Sequence, residues 1–477
     1  MGKNTLYMIF AQILFIASGY GIHIGIGRIL GPERYGEFGV ILSLLTVLEI
    51  FLASGLCDSV TKFTAEYPER SSAIRKQGLK IEAIAGCLVF LLVFLASKPI
   101  AAAFHNVHLS QPLRLSAFLV PLMALYSVYL GSLGGQGMFG KRAIAMSVQS
   151  ISKFGAVFVF ILLGFGIQGA VGGYVLAYGF ALLTVFLFTG KGPSESPTFS
   201  LARLISFAVP LIFFSGAVSL LMNLDMIFVK SLIQESPSAG FYTAAVALTR
   251  APFQIFSAFA ITMLPAISRS TASRNLSQGS GYILKSVKAI LVLLAPIAFF
   301  IAGSSGEIIR LVYSSKYLAA AQPLGVLVFG ITFLSLFSLL AAVITGSGRP
   351  RVPMAVACSL VPLDSVLNAL LIPRFGLVGA AAATTLTCLT GLVVHALYVK
   401  RKFGVLISFS AFSKILLCSC LLYLVPRVWL IGGWGFIPYA LALFLLYFLF
   451  LTLLKVIGKE EFELLRGLCQ NLVKTNP

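Results

Sequence analysis

Apolar runs of about 20 residues, separated by short polar breaks, recur along this chain from end to end. A helix rising 1.5 Å per residue needs about that many residues to cross roughly 30 Å of hydrocarbon. Runs such as Leu291–Ile301 and Ala440–Leu454 show no polar–apolar alternation. That excludes the strands of about 10 alternating residues from which membrane β-barrels are built. A water-soluble globule does not fit either. Of 477 residues, 58% are hydrophobic and 10% charged, too little polar surface to wet a protein of this size. The expected fold class is an all-α polytopic membrane protein with about 14 transmembrane helices.

Spans are expected at 6–28, 39–61, 82–104, 113–135, 143–164, 170–189, 203–224, 239–262, 283–302, 321–345, 353–372, 377–398, 411–431 and 435–456. The net charge of +20 follows from how these spans are oriented. With the N-terminus in the cytoplasm, the inner loops collect Lys62, Arg70, Arg75, Lys76 and Lys80, then Lys141 with Arg142. They also collect Arg269, Arg274, Lys285, Arg349, Arg351 and Lys400–Lys402. About 24 of the 35 basic residues fall inside and about 9 outside, the positive-inside bias of a cytoplasmic-membrane protein with both termini inside. Basicity is therefore topology, and nucleic acid is not an expected partner. Six of the seven cysteines lie in or at the ends of spans and no CxxC spacing occurs, so neither disulfides nor zinc are expected. The apolar segment at the N-terminus continues towards Leu30 and many spans follow, which reads as a first span and not a cleaved signal.

The chain repeats itself at about 210 residues. Phe165-Gly166-Ile167-Gln168-Gly169-Ala170 resembles Phe375-Gly376-Leu377-Val378-Gly379-Ala380. Gly135-Gln136-Gly137 resembles Gly346-Ser347-Gly348, and Tyr35-Gly36-Glu37-Phe38 resembles Ala239-Gly240-Phe241-Tyr242. The expected organisation is a six-helix lobe over 1–190, a cytoplasmic linker at 191–200 and a second six-helix lobe over 201–400. Helices 13 and 14 follow at 401–457, then a cytoplasmic amphipathic tail at 458–477. An even number of helices per repeat sets both lobes in the same orientation, with a cavity between them. Pro210, Pro252, Pro265, Pro296 and Pro362 fall in or beside helices, where each removes a backbone hydrogen bond.

Helix 1 leads into Gly27-Arg28-Ile29-Leu30-Gly31-Pro32-Glu33-Arg34-Tyr35-Gly36-Glu37-Phe38, followed by Leu48-Glu49-Ile50-Phe51 and Ser54-Gly55-Leu56. Further on come Asn223-Leu224-Asp225, Gly240-Phe241-Tyr242 and Asn368-Ala369-Leu370-Leu371-Ile372-Pro373-Arg374-Phe375-Gly376. In this order the motifs resemble the polysaccharide-transporter (Wzx-type flippase) branch of the multidrug/oligosaccharidyl-lipid/polysaccharide exporter superfamily, over residues 1 to about 400. That superfamily also holds lipid II flippases of the MurJ type and drug exporters of the MATE type. The resemblance implies two six-helix lobes in a V shape, alternating access and no nucleotide hydrolysis. It implies a polyprenyl-pyrophosphate-linked oligosaccharide as cargo, with membrane lipids and polysaccharide polymerase or assembly proteins as partners. Helices 13 and 14 correspond to the pair that forms a lipid-tail groove in lipid II flippases. Three other readings stand beside it: a lipid II flippase, a MATE-like ion-coupled exporter of organic cations, and a non-transporting scaffold for polysaccharide assembly.

An anionic, sugar-bearing head needs a wet, cationic path, so basic residues at membrane depth are the substrate-binding candidates. Arg250 in helix 8 and Lys153 in helix 5 lie deepest, with Arg28 and Lys62 nearer the interfaces. Arg250 suits pyrophosphate, which guanidinium grips bidentately; an ion pair with Asp225 or Glu49 is the structural alternative. Lys153 is expected to snorkel towards an interface if it is not functional. The acids within spans, Glu49, Asp58, Asp225 and Asp364, are candidates for binding a coupling proton or Na⁺. Gln12, Gln149, Gln254 and Asn368 are candidates for sugar hydroxyls or for interhelical bonds. No Walker A loop, HExxH or nucleophile–base pair is present, so neither an enzyme nor a resident cofactor is expected.

Overall fold

The computed structural model describes residues 2–50, 52, 55–189, 199–233, 235, 237–250, 253, 276–347, 349–404, 408–429 and 431–456. Every regular element among them is helical. The main helices are α1 (Gly2–Glu49), α2 (Gly55–Glu66), α3 (Ser71–Ala103), α4 (Ser110–Ala117) and α5 (Leu119–Gly135). Next come α6 (Phe139–Leu162), α7 (Gly166–Thr189), α8 (Leu201–Leu221) and α9 (Leu224–Leu232). The later ones are α10 (Leu276–Gly303), α11 (Ser305–Val312), α12 (Ala321–Gly346), α13 (Arg351–Phe403), α14 (Phe409–Val428) and α15 (Phe436–Leu453). Residues 238–250 are also helical. The expected linker segment 191–198, the tail from 458, Cys469, Pro252, Pro265 and Gln254 lie outside the described residues.

Eleven described segments are long and apolar enough to cross a membrane. On α3, the lipid-length helix, Ile84, Leu88, Leu91, Leu92 and Leu95 are each more than half exposed. A stripe of that size is tolerable only against hydrocarbon. The protein is a multi-pass membrane protein.

Two of the eleven are hairpins. Residues 12 positions apart on a straight helix are separated by about 18 Å, yet His23 Nδ1 lies 2.9 Å from Tyr35 Oη. The reversal falls at Gly31, whose φ of 76° only glycine adopts readily, with Pro32 starting the second arm. In α13 the turn is Gly376, at φ 57°. A methyl group at Gly391 would lie 2.6 Å from Leu360 Cδ1, although a straight helix would hold these residues roughly 45 Å apart. Gly166, which the sequence repeat aligns with Gly376, also has positive φ, at 53°.

Some helices differ from the expected spans. The stretch 62–81, expected as a loop, is almost entirely helical, because α2 runs to Glu66 and α3 starts at Ser71. Membrane helices extend beyond the hydrocarbon where their outer turns find other partners. The span expected at 203–224 is α8 and α9, joined at Met222-Asn223 and running on to Leu232. In the span expected at 39–61, α1 gives way after Glu49 to π-helix at Ile50 and Leu52, and α2 starts at Gly55.

The chain divides into two compact units, Met1–Gly240 and Phe241–Val473. The first takes in α8 and α9, which the sequence repeat assigns to the second half. Within it, small residues let backbones touch. A methyl group at Gly131 would meet the Cys57 carbonyl oxygen at 2.6 Å, and one at Gly135 the Thr61 carbonyl oxygen at 2.5 Å. Thr61 Oγ1 ties the same crossing to Gly131 O at 3.1 Å. The start of α8 docks on α2 through Leu56, Val60, Phe63, Phe199, Leu204 and Ala208. In the second unit, α14 and α15 pack on α10 through Leu294, Phe300, Ile415, Cys418, Phe436 and Tyr447, and Tyr447 Oη donates to Val292 O at 3.0 Å.

Candidate functional site

Four helices of the first unit bring polar and aromatic groups to one buried locus. Glu49 is the last residue of α1, followed by π-helical Ile50. From α7, Tyr178 Oη donates to Glu49 Oε1 at 3.2 Å. Tyr126 of α5 stands edge-on to Tyr178 with centroids 5.8 Å apart. Lys153, midway along α6, is 5% exposed. Its ammonium lies 4.8 Å from the Phe15 ring centroid and 5.3 Å from that of Tyr174. It is within electrostatic reach of Glu49, with no hydrogen bond between them. Tyr174 and Tyr178 are one helical turn apart on α7, so a single face of that helix holds both the cation and the acid.

Lys153 therefore does not snorkel. Two ring faces and a nearby carboxylate replace part of its hydration shell. Among the described residues no acceptor engages its three donors, so an anion arriving beside it would find an ammonium with bonding capacity left.

The other predicted residues separate. Lys62 is exposed, its Nζ 3.9 Å from the centroid of Phe207 at the α2–α8 contact; there it serves packing. Arg28 is exposed near the end of the first arm of α1. Asp58 is exposed and interacts with Arg142. Arg250 is half-buried at the end of the helical segment 238–250. Asp225 is 2% exposed in the first turn of α9, accepting from Met226 N at 2.8 Å. It thus follows a break inside a longer rod and does not sit at a hydrated helix end. Asp364 is likewise internal to α13 and fully buried. Asn368 Nδ2 donates to Asp364 Oδ2 at 3.0 Å and to its carbonyl oxygen at 2.9 Å. Asn368 Oδ1 is buried with no hydrogen-bond partner. A carboxylate and an amide oxygen in a dry helix interior are hard donors, suited to a proton or an alkali cation. Among the described residues no group of three or more His, Cys, Asp or Glu is placed to hold a metal ion. Gln149 is buried and Gln12 exposed.

Glu82 escaped the sequence reading, which set it at the start of a span. It lies in the fourth turn of α3, 2% exposed, and its Oε2 is buried with no hydrogen-bond partner. Gly78 and Gly86, four residues to either side, allow the approach of α5 that buries it: methyl groups there would meet Val128 and Pro121. Glycines at i±4 of a lone acid were the available signal. Replacing Glu82 with Met removes a stranded acceptor at nearly constant volume. The expected result is a gain of about 1–2 kcal/mol, read as a higher thermal midpoint in detergent. A lower midpoint would show that the carboxyl makes a stabilising interaction.

A family model described as polysaccharide biosynthesis protein matches residues 1–271. The chain belongs to the polysaccharide biosynthesis protein family. This bears out the resemblance drawn from the Gly31–Phe38 motif and its companions. Among curated relatives, lipid II flippase MurJ of Bacillus subtilis (strain 168) is 24% identical, the match covering 79% of this chain and 77% of that protein. The probable low-salt glycan biosynthesis flippase Agl15 of Haloferax volcanii is 23% identical, covering 83% and 84%. In fold, the chain is similar to a solved structure of lipid II flippase MurJ in an inward closed conformation. The TM-score is 0.77 at 16% identity, covering 94% of this chain and 98% of that one.

Proposed function

We propose that this chain is a flippase that moves polyprenyl-pyrophosphate-linked oligosaccharide from the inner to the outer leaflet of the cytoplasmic membrane by alternating access. Lys153 carries the reading. A buried ammonium in the middle of a membrane helix is expensive, and here it is held on aromatic faces with donors to spare. An anionic head group needs such a group on its way through hydrocarbon. Relatives named as flippases of lipid II and of glycan biosynthesis support the same class of cargo. With each hairpin crossing twice and the expected span at 239–262 added, the chain passes the membrane about 14 times, with both termini cytoplasmic. The two six-helix lobes expected from the sequence repeat carry the cycle, and α14 and α15 pack on α10 of the second unit. No resident cofactor takes part and no bond of the cargo is broken. A proton or Na⁺ gradient drives the cycle through Asp364 with Asn368, with Asp225, Glu49 and Asp58 as the other acids available. Polymerase or assembly proteins take up the exported unit.

The test is leaflet exchange of a fluorescent polyprenyl-pyrophosphate oligosaccharide in proteoliposomes. Exchange should require the protein and fall at least about tenfold in Arg250→Ala, the cost of one lost charge-assisted bond pair. Exchange of lipid II alone would assign the chain to the lipid II flippases. Export of organic cations with no lipid exchange would make it a MATE-like exporter, and a folded protein with neither activity a scaffold.

A further inference from the structure

The motif Gly31–Phe38 carries three charged residues, Glu33, Arg34 and Glu37. They form the floor of a cleft. Arg34 NH1 pairs with Glu37 Oε2 at 3.3 Å, and Asn106 Nδ2 donates to Glu37 Oε1 at 2.7 Å. Glu37 is 6% exposed and so pinned. On either side of this carboxylate open two cavities of about 610 and 370 Å³, both lined by Arg34, Glu37 and His108. In the larger one Gln168 Nε2 donates to Gln111 Oε1 at 2.6 Å, beside Phe165, which is 58% exposed.

The cleft lies where α1 turns back, α3 meets α4 and α6 meets α7. The turn between α2 and α3, with its basic residues, is at the opposite end of α3. At 33 residues, α3 separates the two ends by about 50 Å. By the positive-inside rule the cleft is on the outer face.

Its chemistry selects a neutral, hydroxyl-rich ligand. Two acids, Glu33 and Glu37, and two bases, Arg34 and Lys230, line the smaller cavity, so no net field draws an anion. Each amide of the glutamine pair engages one edge with its partner and keeps a donor or acceptor on the other, the complement of a vicinal diol. An exposed ring beside planar amides, in a volume typical of small-ligand pockets, offers an apolar face for a pyranose. We infer that this cleft binds the sugar portion of the lipid-linked cargo on the outer face, after the head group has crossed. The inference rests on the flippase reading.

The test uses the full chain in proteoliposomes, with its seven cysteines replaced by alanine and Val107→Cys placed on the cleft wall. A membrane-impermeant maleimide is added outside. The competitor is glycan released by mild acid from the lipid-linked oligosaccharides of the source cells. At twice its dissociation constant, glycan in a single site slows labelling about threefold. The slowing should vanish in Gln111→Ala/Gln168→Ala. Equal slowing by inorganic pyrophosphate would make the cleft an anion site and overturn the inference, as would a thiol that the outside reagent never reaches. No slowing by glycan, while exchange of intact lipid-linked oligosaccharide persists in the same vesicles, overturns the cleft and leaves the flippase. Loss of both slowing and exchange refutes the two together.

Discussion

Gly240→Ala should be among the most damaging single-methyl changes this chain can suffer. A Cβ there would run into the Pro32 carbonyl oxygen and lie 2.5 Å from its carbonyl carbon, while one at Gly36 would lie 2.5 Å from Gly240 N. All of these neighbours are backbone, so no side chain can swing aside. Real Cβ contacts stay beyond about 3 Å, and close-packed interiors resist a shift of the roughly 1 Å required. Overpacking costs about 1–3 kcal/mol where side chains can adjust; against rigid backbone the upper end or more is expected. The thermal midpoint in detergent should fall by roughly 5–10 °C, with a lower yield of monodisperse protein. Gly19→Ala is the control. Nothing lies within 4 Å of its added methyl, and inside a helix that exchange gains about 0.5–1 kcal/mol. Equal midpoints for the two variants would mean that the α1 turn and the 238–240 segment part readily.

The contact also explains why the sequence repeat is where it is. The match of Tyr35-Gly36-Glu37-Phe38 to Ala239-Gly240-Phe241-Tyr242 was the weakest of the three, yet its two glycines meet in the structure. Both are glycine because each denies the other room. Span positions were legible for a simpler reason, since hydrocarbon demands long apolar runs wherever they cross. The interruptions within spans were not. The π-helical turn after Glu49 and the Met222-Asn223 turn carry no proline, and only tertiary packing reveals them. The site was half legible. Charge at membrane depth singled out Lys153 and Glu49. That Phe15 and Tyr174 would shield Lys153 depended on packing between helices, so snorkelling stood as the alternative to a functional role until the ammonium was found buried. Lys62 shows the converse: its place near the interface left it among the ligand candidates, whereas Phe207, over 140 residues on, supplies the ring its ammonium rests on.

Lys153→Met should abolish leaflet exchange, and the variant's stability will show why. If the ammonium only balances Glu49, its loss leaves a buried carboxylate hydrogen-bonded by Tyr178 but short of its cation. Breaking a buried pair from one side costs about 3–5 kcal/mol, whereas removing both partners is often near neutral. Glu49→Gln with Lys153→Met should therefore recover most of the thermal midpoint lost by Lys153→Met alone. Under a purely structural role, leaflet exchange would recover with it. Under the proposed role it would not, because the ammonium that meets the pyrophosphate is gone from both proteins. Exchange in the double variant should stay at least about 100-fold below the parent, the loss of about 2.7 kcal/mol of interaction with the crossing head group. Recovery of exchange together with stability would reduce Lys153 to scaffolding and leave Arg250 as the cation to pursue.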